Sequence, residues 1–105
     1  ARSLGGRVHV IFTTGPVDEP GNSARDARYA VARNHVRNTS GEILFDYADI
    51  LEYNNAGQRA NTTYEEIHPD NLGGGGVAHI GAVGTLRLAK AVWVLMARVA
   101  GWNGQ

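Results

Sequence analysis

The fold of this chain is decided by one stretch, residues 7–47, which reads RVHVIFTTGPVDEPGNSARDARYAVARNHVRNTSGEILFDY. Residues 7–14 are rich in β-branched and aromatic side chains and end at Gly15-Pro16, so they predict a strand. Because both faces of that strand carry apolar side chains, we expect an interior strand covered on both sides. Residues 42–47 predict a second strand. A strand, a helix and a strand joined by short loops form a βαβ unit, so the two strands should be parallel.

The intervening helix has recognisable signals at both ends. Ser23 and Asp26 have the Ser-x-x-Asp spacing of an N-cap and its acidic partner, which predicts that the helix begins at Ser23. It should end near Thr39-Ser40, where Gly41 suits the left-handed position that follows many helices. The arginines of this helix are interrupted by alanines and Asp26, so we interpret them as a solvated surface.

The second half of the chain is irregular before it becomes helical. Residues 54–78 contain two turn signals and the glycine run 73–76, which predict a flexible loop. A helix should follow over residues 83–99. Apolar residues cover most of its circumference, so we expect it to be buried on more than one side, with Trp93 in the core and Trp102 anchoring the C-terminal end.

These elements predict an α/β fold that needs further strands. Two parallel strands are fewer than a stable sheet normally has. Their unpaired edges would favour pairing with strands of another chain. We therefore interpret residues 1–105 as a single partial α/β domain that is completed by other residues or by a partner chain.

Composition narrows the function classes. The 105 residues carry 10 basic and 10 acidic side chains. The chain therefore has no net positive charge that would attract nucleic acid or an anionic membrane. The absence of cysteine excludes disulfides and thiolate metal sites. The apolar run 91–97 is too short to span a bilayer. Residues 1–6 do not resemble a signal peptide, so a secreted or periplasmic location would require a signal already removed.

The segment from His79 to Ala89 carries the strongest functional signal. It reads HIGAVGTLRLA, which places a histidine on a glycine-containing loop directly before the last helix. Such a loop can deliver an imidazole to the mouth of an α/β sheet as a general base. Ser3, Ser23 and Ser40 are the only serines, and none follows a strand in the sharp turn that exposes a nucleophile.

Four stretches of the chain together form a pattern: residues 13–16 (TTGP), 34–37 (NHVR), 43–50 (ILFDYADI) and 79–102. This pattern resembles the C-terminal half of bacterial SGNH (GDSL-type) hydrolases. The resemblance covers nearly the whole chain and about half of a typical family domain. It implies a flavodoxin-like three-layer α/β/α sandwich and hydrolysis of esters, often acyl groups on carbohydrates or lipids.

The family's last motif implies roles for individual residues. It is Asp-x-x-His, a glycine five residues later and a Leu-Ala pair that opens a helix; His79, Gly84 and Leu88-Ala89 match these positions. The resemblance therefore implies that His79 is the general base. The acidic orienter would stand at residue 76, which is glycine here, and Asp70 in the preceding loop is the candidate substitute. The family's serine nucleophile block and its oxyanion donors have no counterpart in this chain.

The histidines also suggest a second kind of site. His9, His35, His68 and His79 would form a metal site only if the fold brought them together, because their spacings match no short-range zinc pattern. Packing or solvent exposure explains His9 and His35 equally well. We therefore assign no metal ligands and no cofactor from the sequence.

Two further features have structural interpretations that we favour over functional ones. Asp46, Asp49 and Glu52 follow the second strand, where acidic groups often meet ligands, but turn formation and helix capping account for them. The glycine run lacks the lysine and the Ser/Thr of a phosphate-binding loop.

Three functional hypotheses remain. The first is an SGNH-like serine ester hydrolase segment that carries the general base His79, acts on a small-molecule or carbohydrate ester, and receives its nucleophile from elsewhere. The second is a non-catalytic interaction module that forms homodimers through its apolar helix and strand edges. The third is a small histidine metal-binding protein. The partners we expect are a missing N-terminal half or a second copy, and neither nucleic acid nor membrane.

Overall fold

The computed structural model describes residues 9–74 and 79–102 of the chain. Within these residues the structure is a small α/β unit: a βαβ arrangement, a short helix and a long C-terminal helix. In chain order its strands and α-helices are β1 (Ile11–Thr13), α1 (Ser23–Asn38), β2 (Ile43–Phe45), α2 (Tyr47–Glu52) and α3 (Ala82–Val99). A one-turn 3₁₀ helix, Pro69–Asn71, precedes α3.

The two strands pair in parallel, which confirms the prediction from the βαβ pattern. The aligned pairs are Ile11 with Ile43, Phe12 with Leu44 and Thr13 with Phe45. Both strands are shorter than predicted, and the expected first residues of β1, Arg7 and Val8, lie outside the described residues. The sheet has two strands among the described residues. Val10 is exposed and Ile11 and Phe12 are only half-buried, so this part of the chain does not provide the expected cover on both sides of β1.

The ends of α1 correct one expectation and confirm another. The N-cap is Asn22 rather than Ser23, because the Asn22 side chain accepts a hydrogen bond from the backbone N–H of Arg25 at 3.0 Å. An asparagine oxygen satisfies one of the orphan donors of the first turn as well as a serine hydroxyl does. Gly41 has a φ of +84°, the left-handed conformation that was predicted for it.

The buried core does not lie on the sheet. Its four apolar members, each at most 3% exposed, all come from segments that follow the strands: Val17, Ala48, Leu51 and Ile67. The residues of β2, in contrast, are only half-buried. The packing that holds the described fold together is therefore formed by α2 and the loops around it, against partly buried side chains from α1 and α3.

Helix α3 covers nearly the predicted range, but its environment differs from the prediction. Trp93 is 79% exposed rather than in the core, and Leu86, Val92 and Met96 are also exposed. The expectation that α3 is buried on more than one side is wrong for the described chain. The reason is physical: the small sheet and core offer apolar surface only to the first half of the helix, where Leu88 packs.

The segment that we predicted as the flexible loop 54–78 contributes to the interior as far as residue 74. The Asn54 side-chain oxygen accepts hydrogen bonds from the backbone N–H groups of Ala56 and Gln58, which fixes a turn. Further along, Ile67 joins the core and Asn71 is fully buried. Residues 75–78 lie outside the described residues. No helix within the described ranges has the length and apolar character needed to cross a bilayer.

Candidate functional site

The loop that carries His79 is held by backbone contacts on both sides of the histidine. The N–H of Gly73 donates to the His79 carbonyl at 2.6 Å, and the N–H of Gly81 donates to the Asn71 carbonyl at 2.9 Å. Leu72 and Ile80 form an antiparallel bridge between them. The backbone at His79 is thus fixed against the segment that leaves the 3₁₀ helix.

Two glycines allow this close approach. A Cβ at Gly81 would lie 2.7 Å from the Leu72 carbonyl oxygen, and a Cβ at Gly84 would lie 2.5 Å from the Asn71 carbonyl oxygen. Real Cβ atoms do not approach backbone oxygen so closely, so both positions require glycine.

Asn71 links this loop to α2, a role that the sequence pattern, which predicts only a turn there, does not indicate. Its side chain is 0% exposed, and its amide donates to the carbonyls of Leu51 and Tyr53, both at 2.9 Å. Its own backbone carbonyl accepts from Gly81. One buried asparagine therefore joins the C-terminal end of α2 to the start of α3.

The His79 side chain is exposed at the surface of this clamped loop. Among the described residues, no hydrogen bond or ion pair engages its imidazole. Asp70, the candidate orienter, contacts other groups: its carboxylate accepts from the Asn54 amide at 3.1 Å and lies 3.7 Å from Nδ1 of His68. Gly76, where the family has its acid, lies outside the described residues.

The structure also places two of the three serines. Ser23 is the first residue of α1, and Ser40 lies in the turn between α1 and β2. Neither follows a strand directly, so neither has the elbow position of an SGNH nucleophile. Ser3 lies outside the described residues. The hydroxyl that does follow a strand belongs to Thr14, which is buried and bonded on both sides.

A polar cluster, formed by Thr14, Arg33, Asp46 and Glu65, lies at the carboxyl ends of the strands. Arg33 donates from Nε to Asp46 at 2.6 Å and from Nη2 to the other Asp46 oxygen at 3.0 Å. The same guanidinium forms an ion pair with Glu65. Thr14 donates to Asp46 at 2.8 Å and accepts from the N–H of Ala48. Bidentate geometry of this kind is the strongest form of a carboxylate–guanidinium pair.

The charges of this cluster shift the pKa values of its members. Burial alone would raise the pKa of Asp46, but the hydrogen bonds from Arg33 and Thr14 outweigh it and hold that pKa below its ordinary value. The hydrogen bond to Asp46 likewise raises the pKa of Arg33. Asp46 also caps α2 by accepting from the N–H of Asp49, which agrees with the capping interpretation of the sequence.

The interpretation of the α1 arginines as a solvated surface is wrong for two of them. Arg25 is 4% exposed and pairs with Asp26 at 2.8 Å, while Arg33 forms the cluster described above. Arg33 pairs with residues 13 and 32 positions away, and Arg25 also pairs with Asp18 across a loop, so helical spacing alone did not reveal these contacts. The one local signal was Asp26, which pairs with its neighbour Arg25 instead of completing a capping box.

Comparison of the chain with protein-family models, with curated protein sequences and with solved structures finds no match.

The histidines do not converge on a metal site in the described part of the chain. No group of three or more His, Asp or Glu side chains within residues 9–74 and 79–102 could hold a metal ion. His35 packs edge-on against Phe12, with ring centroids 5.3 Å apart. His68 caps the 3₁₀ helix by accepting from the N–H of Asp70 at 3.1 Å. These two rings thus have structural roles.

The described residues therefore provide, at His79, an exposed imidazole on a fixed backbone, and a separate ion cluster in which Arg33 is shared by two carboxylates. The ion cluster holds β1, α1 and β2 together, and Oε2 of Glu65 is buried there without a described hydrogen-bond partner. Among the described residues, His79 is the candidate for proton transfer.

Proposed function

We propose that this chain is the base-bearing part of an SGNH-type serine ester hydrolase. His79 is the general base, and residues outside this chain supply the serine and the oxyanion donors. The imidazole removes the proton from the serine oxygen as that oxygen attacks the ester carbonyl. It then returns the proton to the leaving alkoxide, and the cycle repeats with water for the acyl-enzyme.

The observation that carries the proposal is the contrast between the His79 backbone and its side chain. The backbone is bonded on both sides, to Gly73 at its own carbonyl and through Gly81 to Asn71. The imidazole, in contrast, is exposed and has no described partner. A general base must be held in place and still reach the proton that it removes. His68, in contrast, uses Nδ1 inside the fold, where it accepts from the N–H of Asp70.

The exposed surfaces support the part of the proposal that concerns missing residues. Helix α3 exposes Val92, Trp93 and Met96, and the faces of β2 are only half-covered. In a flavodoxin-like sandwich, further parallel strands would extend the sheet and α3 would pack across it. We therefore propose that the complete enzyme covers α3 with the strands that carry the nucleophile. The acid that orients His79 also belongs to those residues, because Asp70 is engaged by Asn54 and His68.

A test uses the protein purified from its source cells through an affinity tag on this chain, together with whatever polypeptide contains or accompanies it. Treatment with a biotinylated fluorophosphonate should label a serine in that material, because the probe reacts with hydroxyls that a base activates. His79→Ala should reduce both the labelling rate and p-nitrophenyl butyrate hydrolysis by roughly 10³-fold. His35→Ala is the matched control and should leave both rates unchanged.

The test discriminates because His79 is exposed and its substitution should not unfold the protein. Equal urea midpoints for His79→Ala and the unsubstituted protein would establish that the loss is chemical. Labelling that persists at the full rate in His79→Ala would refute the proposal, and so would the absence of any labelled serine.

A second candidate function, a homodimerising interaction module, is favoured by a different observation. A tryptophan that is 79% exposed among other exposed apolar side chains of α3 is unusual for a monomer. In this alternative two copies pack their α3 helices together and no nucleophile is required. Sedimentation equilibrium of the pure chain should then give a dimer that Trp93→Lys converts to a monomer. A monomer for the unsubstituted chain at about 100 μM would exclude this alternative.

A further inference from the structure

A groove between α2 and the first half of α3 is independent of the His79 chemistry. Its volume of about 680 Å³ is in the range of small-ligand sites. Both apolar and charged side chains line it, among them Ile50, Val83, Leu86, Asp49, Arg87 and Lys90.

Arg87 differs from the other partly buried arginines in its partners. Its Nε donates to the Ile50 carbonyl at 2.7 Å and its Nη1 donates to the Asn55 side-chain oxygen at 3.2 Å. Both acceptors are neutral, whereas Arg25, Arg33 and Arg59 each form an ion pair with a carboxylate. The guanidinium is therefore held in a fixed orientation without a described carboxylate in direct contact, since Asp49 interacts with it through charge alone, and its Nη2 donates no described hydrogen bond. An anion is the partner that such a group lacks.

Lys90 adds a second positive charge to the same groove. It lies three residues after Arg87, so both side chains are on one face of α3. It is exposed, and no hydrogen bond or ion pair engages it among the described residues. Asp49 also lines the groove, but it forms no ion pair with either cation within the described structure. Two cations and one carboxylate leave a net charge of +1.

We propose that this groove binds a small organic monoanion, a carboxylate with a short alkyl chain. Arg87 Nη2 and the Lys90 ammonium bind the carboxylate, and the chain lies along Ile50, Val83 and Leu86. The single excess charge favours a monoanion over a phosphate dianion, because a dianion would leave one negative charge beside Asp49. The apolar wall favours an alkyl chain over a fully polar anion such as a sugar acid.

The proposal is tested with hexanoate, and hexan-1-ol serves as the ligand of equal chain length without charge. Titration of the isotopically labelled chain should give saturable NMR shifts of backbone amides in α2 and α3, with a Kd in the millimolar range. Hexan-1-ol and inorganic phosphate should bind at least about tenfold more weakly. Lys90 is the only lysine of the chain, so hexanoate should also slow its acylation by an amine-selective reagent.

Lys90→Gln is the decisive variant because Lys90 is exposed and unbonded, so the fold does not depend on it. It should weaken hexanoate binding by about tenfold or more, as expected for the loss of a charge-assisted contact. Arg28→Gln, an exposed arginine of α1 outside the groove, is the matched control and should not change the Kd. Equal binding of hexanoate to Lys90→Gln would overturn the proposal. Equal binding of hexanoate and hexan-1-ol would overturn it as well, since only apolar contact would then be involved.

Discussion

The substitution Gly84→Ala tests the packing that fixes the His79 loop. The added Cβ would lie 2.5 Å from the Asn71 carbonyl oxygen and 2.5 Å from Cγ2 of Ile80. Ile80 can shift its side chain, but the Asn71 carbonyl is backbone and also accepts the hydrogen bond from Gly81. Overpacking of this kind costs about 1–3 kcal/mol, and a clash with backbone belongs at the upper end. The helical preference of alanine over glycine returns about 1 kcal/mol, so we expect a net loss of about 2 kcal/mol.

Urea unfolding followed by far-ultraviolet circular dichroism measures this loss. With a slope of about 1.5 kcal/mol per molar, typical of small domains, the midpoint should fall by roughly 1.3 M. Gly74→Ala is the matched control, because a Cβ there would have no atom within 4 Å and the backbone is not left-handed. It should leave the midpoint unchanged or raise it slightly, since alanine restricts the unfolded chain. A Gly84→Ala midpoint equal to or above that of the unsubstituted protein would refute the packing argument.

Two further predictions concern the buried polar groups. Asn71→Asp replaces the amide that donates to two carbonyls of α2 with a carboxylate that cannot donate, so the free energy of unfolding should fall by about 3 kcal/mol at neutral pH; an unchanged urea midpoint would contradict this. Arg33→Gln should lower the free energy of unfolding by about 2–3 kcal/mol at pH 7, because Asp46 loses its partner. The folded-state pKa of Asp46 is depressed, so its stabilising contribution is present above the unfolded pKa of about 3.9 and is lost as the pH falls through the folded value. The difference between Arg33→Gln and the unsubstituted protein should therefore shrink below about pH 4, and a difference that is constant from pH 7 to pH 3 would exclude the Arg33–Asp46 pair as its cause.

The two strands, α1 and α3 could be predicted from local signals, whereas the short helix α2 was not predicted. The strand residues, the left-handed Gly41 and the start of α3 each depend on neighbours in sequence, and the parallel pairing follows from the βαβ order. The N-cap was misplaced by one residue because Asn22 and Ser23 are both good caps, and only the side-chain hydrogen bond distinguishes them.

The long-range polar contacts could not be predicted in the same way. Arg33 pairs with Asp46 and Glu65, which lie 13 and 32 residues away, and Asn71 bonds to carbonyls 18 and 20 residues away. Helical periodicity indicates which side chains share a face, but it does not indicate which loop will cover that face. The position of Arg33 on the polar face of α1 therefore did not indicate that Glu65 pairs with it.

The location of the core explains why the burial of α3 was predicted incorrectly. An apolar helix predicts apolar surface elsewhere that it will cover, and in an α/β protein that surface is normally the sheet. Here the buried side chains are gathered around α2, and the two described strands offer three residues each. Only the first half of α3 finds a partner, through Gly84 and Leu88, while Trp93 and Met96 remain exposed.

The same exposure connects the chemical and the structural hypotheses. Both the ester hydrolase and the homodimer require a partner surface that packs on the second half of α3. They differ in the chemical groups that this surface must carry. For the hydrolase it must bring a serine to the exposed imidazole of His79, which lies just before the clamped first turn of the helix. For the homodimer it needs only a second apolar face. His79→Ala therefore separates the two, because it should lower ester hydrolysis by roughly 10³-fold in the hydrolase, whereas the homodimer has no such activity to lose. Trp93→Lys should dissociate the homodimer.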